Sequence, residues 1–359
     1  MAGVEMTDLT FYKGKKVLIT GHTGFKGGYL SALLSRAGAE VTGYSLEPPT
    51  NPSLFELCKL KNDLDSITGD VRDFDHLLKV FKEKRPEIVF HLAAQPIVRT
   101  SYREPRLTYE TNVMGTVNLL ECVRETDCVH SVLNITTDKV YLNTDEDKAF
   151  TEDMPLDGYD PYSNSKSCSE LVTHSYIKSF FYEKDAPRIS TARAGNVIGG
   201  GDFAPDRLIP DCVRAAEKHE KVIIRNPAST RPFQHVLEPV TVYADIAAAQ
   251  YDDPEKADFY NVGPDFSDIR SAGELAQIFC REWGEGLECE VKGDGGPHEA
   301  SFLRLDCTKL KKKLDWKSVW NVEDAVRYTV RWSRVYVDRG DVRKELFDEI
   351  DTYLGDMKK

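Results

Sequence analysis

Three features of the 359-residue sequence predict an α/β protein built on a doubly wound parallel sheet, with a smaller α/β domain that would hold a substrate. Short β-rich runs alternate with helical stretches through the first half. Several of those runs are apolar almost throughout, as strands buried on both faces are. A glycine-rich turn follows directly on the first of them. The length suggests about two domains. We place the first at 1–195 with a returning segment near 236–268, and the second over the rest of 196–359.

The predicted strands are 16–20, 41–45, 66–69, 88–93, 131–136 and 189–194, with helical patterns such as 73–84 and 108–126 supplying the crossovers. After Asn196 a glycine run opens a loop-rich stretch. Residues 208–221 then read as a helix and 222–225 as a strand. The run 259–263 predicts a further strand returning to the first sheet, and 271–283 and 322–338 read as helices. The tail after Arg339 is charged and reads as exposed.

Composition removes several function classes. Forty-seven Lys and Arg against 59 Asp and Glu leave a net charge of −12, which argues against nucleic acid or an anionic membrane surface as partner. No apolar run approaches the roughly 18 residues of a membrane span. The first residues include Glu5 and Asp8 and no apolar segment of a secretory signal. Eight cysteines lie scattered without a C-x-x-C pair, so neither a disulfide framework nor a metal site is expected, and a cytoplasmic location fits.

The turn after the first strand carries Gly21, Gly24 and Gly27 in G-x-x-G-x-x-G spacing. Glycines there let the backbone approach a diphosphate, and the amides of the helix that follows face the anion. This Rossmann-type placement predicts a dinucleotide, with His22, Phe25 and Lys26 completing the loop. Ser45 stands at the end of the second strand, where an acid usually holds the ribose, and Glu47 follows two residues on. No Arg or Lys follows nearby, which favours NAD over NADP, although Lys26 keeps the second open. Asp70, at the end of the third strand, is placed to accept from the adenine amine.

Tyr162 and Lys166 form Y-x-x-x-K. Tyr12 and Lys16 match the same pattern ahead of the first strand, where no cofactor is within reach. Tyr162, by contrast, follows Asp160-Pro161, a helix start that puts Lys166 on the phenol's face. A neighbouring ammonium and a cofactor's positive ring would lower the phenol's pKa and let it take a proton from an alcohol. Thr137 is placed to supply a further hydroxyl.

The motifs Thr20–Gly27, His91-Leu-Ala-Ala-Gln95, Thr111-Asn-Val-Met-Gly115, Thr137 and Tyr162/Lys166 resemble those of the extended short-chain dehydrogenase/reductases. Longer segments are similar to the nucleotide-sugar 4,6-dehydratase branch that acts on CDP-glucose. Among them are Pro86–Pro96, Thr136–Tyr141, Ala192–Asp202 and Arg231–Pro239. The resemblance spans roughly 10–335. It implies NAD as cofactor and adds Val71, Leu92, Ala93, Ala94, Asn112 and Thr136 to the residues expected around it. It also implies that Asp138 protonates a departing C6 oxygen and that Lys139 removes the C5 proton, with Lys139 as a mere orienter the other reading. For the substrate it implies Gln95, Arg99, Asn196, Arg207, Arg231, His235 and Arg304, with His298 in a substrate-side loop. The chain departs from that branch in its acidic, Trp-free stretch 143–153 and in Phe233, where the branch has Trp. A dehydratase or 4-epimerase for another nucleotide sugar, and a silent dinucleotide binder, are the competing readings. A homodimer or homotetramer is expected through helices near 108–126 and 162–180.

Overall fold

The computed structural model describes residues 9–144, 148–292 and 303–359. Seven parallel strands form one sheet: β1 (Lys16–Thr20), β2 (Glu40–Ser45), β3 (Asp65–Thr68), β4 (Ile88–His91), β5 (Ser131–Thr137), β6 (Arg188–Ala194) and β7 (Phe259–Val262). Their spatial order is β7-β6-β5-β4-β1-β2-β3. The order reverses between β1 and β4, so a crevice opens beyond the carboxyl ends of these two strands, where ligands of such sheets bind. Every residue of β5 is buried, as its apolar run predicts. The returning strand pairs Phe259–Val262 with Thr191–Ala194 of β6.

Helices cover both faces. Helix α1 (Phe25–Arg36) starts at the glycine loop and packs on α6 (Leu237–Asp252), which leads into β7. On the other face lie α2 (Phe74–Lys84), α3 (Gly115–Arg124) and α4 (Pro161–Phe180). The expected single helix over 108–126 is two helices, Pro105–Tyr109 and α3, joined through a π-turn at Glu110–Met114. Such a turn re-aims a side chain within a helix. Here Asn112 is buried, with its oxygen accepting from the Gln95 amide and its nitrogen donating to Ser165 Oγ.

A second hydrophobic cluster unites α5 (Leu208–Glu217), the parallel pair Val222–Ile224 and Cys289–Val291, α7 (Ala272–Trp283) and α8 (Val322–Val337). Helix α7 opens with a capping box, Ser271 and Glu274 bonding each other's backbone amides.

The tail is not an exposed charged segment. Helix α9 (Val342–Asp356) buries Leu346, Ile350 and Tyr353 in the core that contains Tyr29, Leu30 and Leu33 of α1. Its charges lie on the outer face, where Arg36 meets Asp351 at 2.8 Å and Arg343 meets Asp63 at 2.7 Å. Amphipathic placement explains both facts. Two acids do go inside, Glu345 and Glu349; Glu349 accepts from Tyr29 Oη at 3.2 Å, and burial pushes its carboxyl up to about 8.

Among the described residues, no helix is long and apolar enough to cross a membrane. Nor do they contain a group of three or more His, Cys, Asp or Glu able to hold a metal.

Candidate active site

A cleft of ≈ 1490 Å³ runs past the carboxyl ends of the sheet and is lined by both hydrophobic clusters. Its floor is the glycine loop. Gly21 has φ +78°, and a Cβ on Gly27 would lie 2.1 Å from the Gly21 carbonyl oxygen, so both places demand glycine. Gly21, Gly24, Phe25, Lys26 and Gly27 line the cleft, as do Ser45, Asp70, Val71, Leu92, Ala93, Ala94 and Thr136. The floor fits a diphosphate: the amides of the first turn of α1 open into the cleft beside glycines that leave room for it.

Two expected cofactor contacts sit behind this wall. His22 turns away from the cleft, packs on Gly43 of β2 and bonds Ser66 Oγ at 2.8 Å. Burial lowers its pKa to about 4, so it is neutral. Asn112 supports the strand-end loop from inside, as described above. At the adenosine end, Ser45 Oγ bonds Thr23 Oγ1 at 2.8 Å. The Asp70 carboxylate is held by Arg72, with Nη2 at 2.6 Å, which keeps it below the usual carboxylate range. Arg72 escaped the sequence reading although it lines the cleft two residues from Asp70. Asp70 and Glu110 balance its charge, so it does not by itself favour a 2′-phosphate.

The reacting groups cluster where β5 ends and α4 begins. Asp160 caps α4, accepting from the Ser163 amide at 3.0 Å, and Pro161 occupies the first turn. That start fixes Tyr162 beside Thr137. Burial pushes the phenol up to about 12, against the opposing effects of Thr137 and Arg207. The neighbouring ammonium therefore does not lower it here as expected. Lys166 Nζ donates instead to the Ile135 carbonyl at 3.0 Å, and its own burial lowers its pKa to about 8. Beneath it, Glu170 and Arg193 form a buried ion pair at 2.9 Å that also ties Thr136 to the helix. No motif announced that pair.

Asp138 is buried. Its Oδ1 accepts from Thr137 Oγ1 at 3.0 Å and from Lys139 Nζ at 2.9 Å, and its Oδ2 has no hydrogen-bond partner among the described residues. Gly195 keeps that oxygen clear, because a Cβ there would stand 3.2 Å from it and 2.8 Å from Pro232 Cγ. Lys139 also donates to Asn196 Oδ1 at 3.3 Å, so Asn196 orients the lysine rather than leaving that oxygen for a ligand.

On the substrate side, Arg99, Arg207 and Arg231 line the cleft. Arg207 is tethered to Asp202 at 2.9 Å and Arg99 stands 4.0 Å from Asp206. Three expectations need correction. Gln95 lines the cleft, but both ends of its amide are engaged by Thr108 and the Ile97 amide, so it shapes the loop. His235 is fully buried between Tyr29 and Trp320 and is not among the described residues that line the cleft. Arg304 is absent from the lining, which takes its neighbour Leu303 instead. His298 lies outside the described residues.

A family model described as GDP-mannose 4,6 dehydratase matches residues 18–329. The chain belongs to that family. Within it, the chain is similar to the CDP-glucose 4,6-dehydratase of Salmonella typhimurium, with 45% identity over 97% of this chain and 99% of the relative. A dTDP-glucose 4,6-dehydratase of Xanthomonas campestris is 28% identical over 88% of this chain and 92% of its own. The fold matches a dTDP-glucose 4,6-dehydratase from Bacillus anthracis solved with NAD (TM-score 0.75, 22% identity, 93% of this chain and 100% of that one). It also matches a UDP-glucose 4-epimerase from Thermotoga maritima (TM-score 0.78, 23% identity, 89% and 99%). The likeness to both a dehydratase and an epimerase shows a fold common to the two.

Proposed function

We propose that the chain is an NAD⁺-dependent hydro-lyase converting CDP-glucose to CDP-4-keto-6-deoxyglucose and water. The observation that carries this reading is the contact of Asp138 with Lys139 at the end of β5, beside Tyr162. The nearly full-length similarity to a CDP-glucose enzyme supports the choice of base and hexose. NAD⁺, when bound, supplies temporary storage for one hydride, so the overall reaction involves no net oxidation.

Tyr162 would take the proton of the 4-hydroxyl as the phenolate, the form that a bound cofactor's positive ring would favour against the effect of burial, with Thr137 beside it. The resulting 4-ketone acidifies the C5–H bond. Lys139 and Asp138 hold one proton between them: placed on Asp138 it makes an acid and an amine, placed on Lys139 an ion pair. In the first arrangement Lys139 takes the C5 proton while Asp138 gives its own to the C6 oxygen. Water departs and leaves Lys139 and Asp138 as an ion pair; Lys139 would then return its proton to C5 as C6 regains the stored hydride, which gives the 6-deoxy product. Oδ2, buried and unengaged, is the oxygen for that donation. Arg207 and Arg231 suit a diphosphate through paired guanidinium contacts.

Helix α4 and the helices around 105–124 carry the exposed apolar residues Met114, Leu171 and Phe180. These would form the interface of a homodimer or homotetramer.

The test is turnover of CDP-, dTDP-, UDP- and GDP-hexoses with NAD⁺, followed by NMR of the product. A 4-keto-6-deoxy sugar from CDP-glucose is expected. A product that keeps its 6-hydroxyl and inverts at C4 would establish an epimerase instead.

A further inference from the structure

The chain carries eight cysteines, all free thiols, and none of them lines the cleft. Three of them, Cys212, Cys280 and Cys289, come together in the second hydrophobic cluster from three different elements. Cys212 lies on α5, Cys280 on α7 and Cys289 at the start of the strand Cys289–Val291. Among the described residues they form no group able to hold a metal ion. One pair within the three is close: Cys280 Sγ lies 3.0 Å from Cys289 Sγ.

Both sulfurs are held on ordered elements. Cys280 sits near the end of α7, where its carbonyl accepts from the Gly284 amide at 3.0 Å. Gly284, Glu285 and Gly286, all with positive φ, turn the chain back. Cys289 then enters the parallel pairing opposite Val222. Arg334 of α8 clasps the turn from outside, 3.2 Å from Glu285 and over the Trp283 ring at 5.1 Å. A disulfide needs about 2.05 Å between its sulfurs, so closing this pair takes a movement of about 1 Å.

The three thiols differ in access. Cys289 is partly exposed, whereas Cys280 is buried, which pushes its thiol up to about 12. Cys212 is fully buried, and the same cause raises its thiol well above the usual range. An oxidant therefore meets Cys289 first, with Cys280 behind it as the resolving thiol.

We propose that Cys280 and Cys289 are a redox pair, which closes to an intramolecular disulfide on meeting a small disulfide oxidant. The thiolate of Cys289 attacks one sulfur of the oxidant, forming a mixed disulfide and expelling one small thiolate. Cys280 gives its proton to water and attacks Cys289 Sγ, expelling the second. Two protein thiols are oxidised to one disulfide, and the oxidant is reduced to two thiols. The bond ties α7 to the pairing of Cys289–Val291 with Val222–Ile224. Both sides of that tie carry part of the cleft wall, α7 through Ala272 and the pairing through Ile223 and Ile224.

The test treats the full chain with oxidised glutathione at pH 8, blocks remaining thiols with iodoacetamide, and digests with trypsin without reduction. Trypsin cuts after Arg281, between the two cysteines, so the bond appears as a linked pair of peptides, 271–281 with 282–292. Wild-type protein should give that pair, with Tm raised by at least about 3 °C, and dithiothreitol should reverse both. Cys289→Ser and Cys280→Ala, each made separately, should turn over as the reduced wild type does and show neither the link nor the rise. A link to the Cys212 peptide, 208–214, overturns the proposal. So does a stable glutathione adduct on Cys289 beside a free Cys280, or a link that leaves Tm unmoved. Unmodified Cys280 and Cys289 after treatment overturn it as well.

Discussion

The Nζ of Lys139 lies 2.9 Å from Oδ1 of Asp138, while Oδ2 of the same carboxylate has no hydrogen-bond partner among the described residues. The lysine thus holds one oxygen and leaves the other for work. If the pair shares one proton, the two residues are separable by experiment. Lys139→Met should retain C4 oxidation, seen as a reduced-cofactor absorbance after substrate is added, and should lose solvent deuterium uptake at C5. Asp138→Asn should retain both but lower kcat about 10²- to 10⁴-fold, the usual contribution of a positioned acid. Undiminished C5 exchange in Lys139→Met would remove it from the base role.

Gly195 guards the unengaged oxygen. In Gly195→Ala the new Cβ meets Pro232 Cγ at 2.8 Å and Asp138 Oδ2 at 3.2 Å. We expect kcat to fall at least tenfold with dinucleotide affinity unchanged, because the clash is at the acid and not at the glycine loop. Steady-state kinetics beside a binding titration will check this. A loss of affinity equal to the loss of kcat would contradict it.

Gly27→Ala should do the reverse. Its Cβ would meet backbone, 2.1 Å from Gly21 O and 2.9 Å from His22 Cα, and backbone cannot step aside. Overpacking of this kind costs about 1–3 kcal/mol of stability, and a loop displaced to relieve it should bind a dinucleotide more weakly. Dinucleotide fluorescence titration should show that weakening while circular dichroism shows a folded protein.

Buried Glu349 makes stability depend on pH. Its folded value of about 8 is above that of an unfolded carboxyl. Its contribution is therefore complete below the unfolded value of about 4.3 and disappears as pH rises through about 8. Glu238, raised to about 7, acts in the same direction. Glu349→Gln should flatten the decline in Tm between about pH 4.3 and 8. An unaltered slope would show that the carboxyl ionises without cost.

Leu171 is about half exposed on α4, as Met114 is on the π-turn ahead of α3. Replacing Leu171 by Glu should shift the mass seen by light scattering to that of a single chain. If the wild type is already a monomer, these helices have another partner or none.

The parts of the site that could be read in the sequence are those where one residue type has one backbone use. Gly21, Gly24 and Gly27 are of this kind, and so is Tyr162 behind Asp160-Pro161. The alternation of runs likewise gave every strand of the sheet to within a few residues. What could not be read is direction. His22 and His235 belong to motif segments, yet the first faces Gly43 and the second is enclosed by Tyr29 and Trp320. Gln95 lines the cleft with its amide already engaged. Nothing local distinguishes a side chain that meets a ligand from one that supports the wall. The Glu170–Arg193 pair and the role of Gly195 depend on elements distant in the chain. The charged tail misled for a related reason: its apolar residues recur at helical spacing, but the charges between them dominate the composition.

Helix α9 has a consequence for synthesis. Leu346, Ile350 and Tyr353 complete the core that seats α1, the helix carrying the glycine loop. The first motif to leave the ribosome is therefore supported by residues that emerge more than three hundred positions later, and β7 is similarly delayed at one edge of the sheet. Competence to hold a nucleotide arrives late, as a property of the whole chain. Stalled nascent chains exposing only residues up to 340 should be cut by protease between β1 and β2, and those exposing α9 should resist.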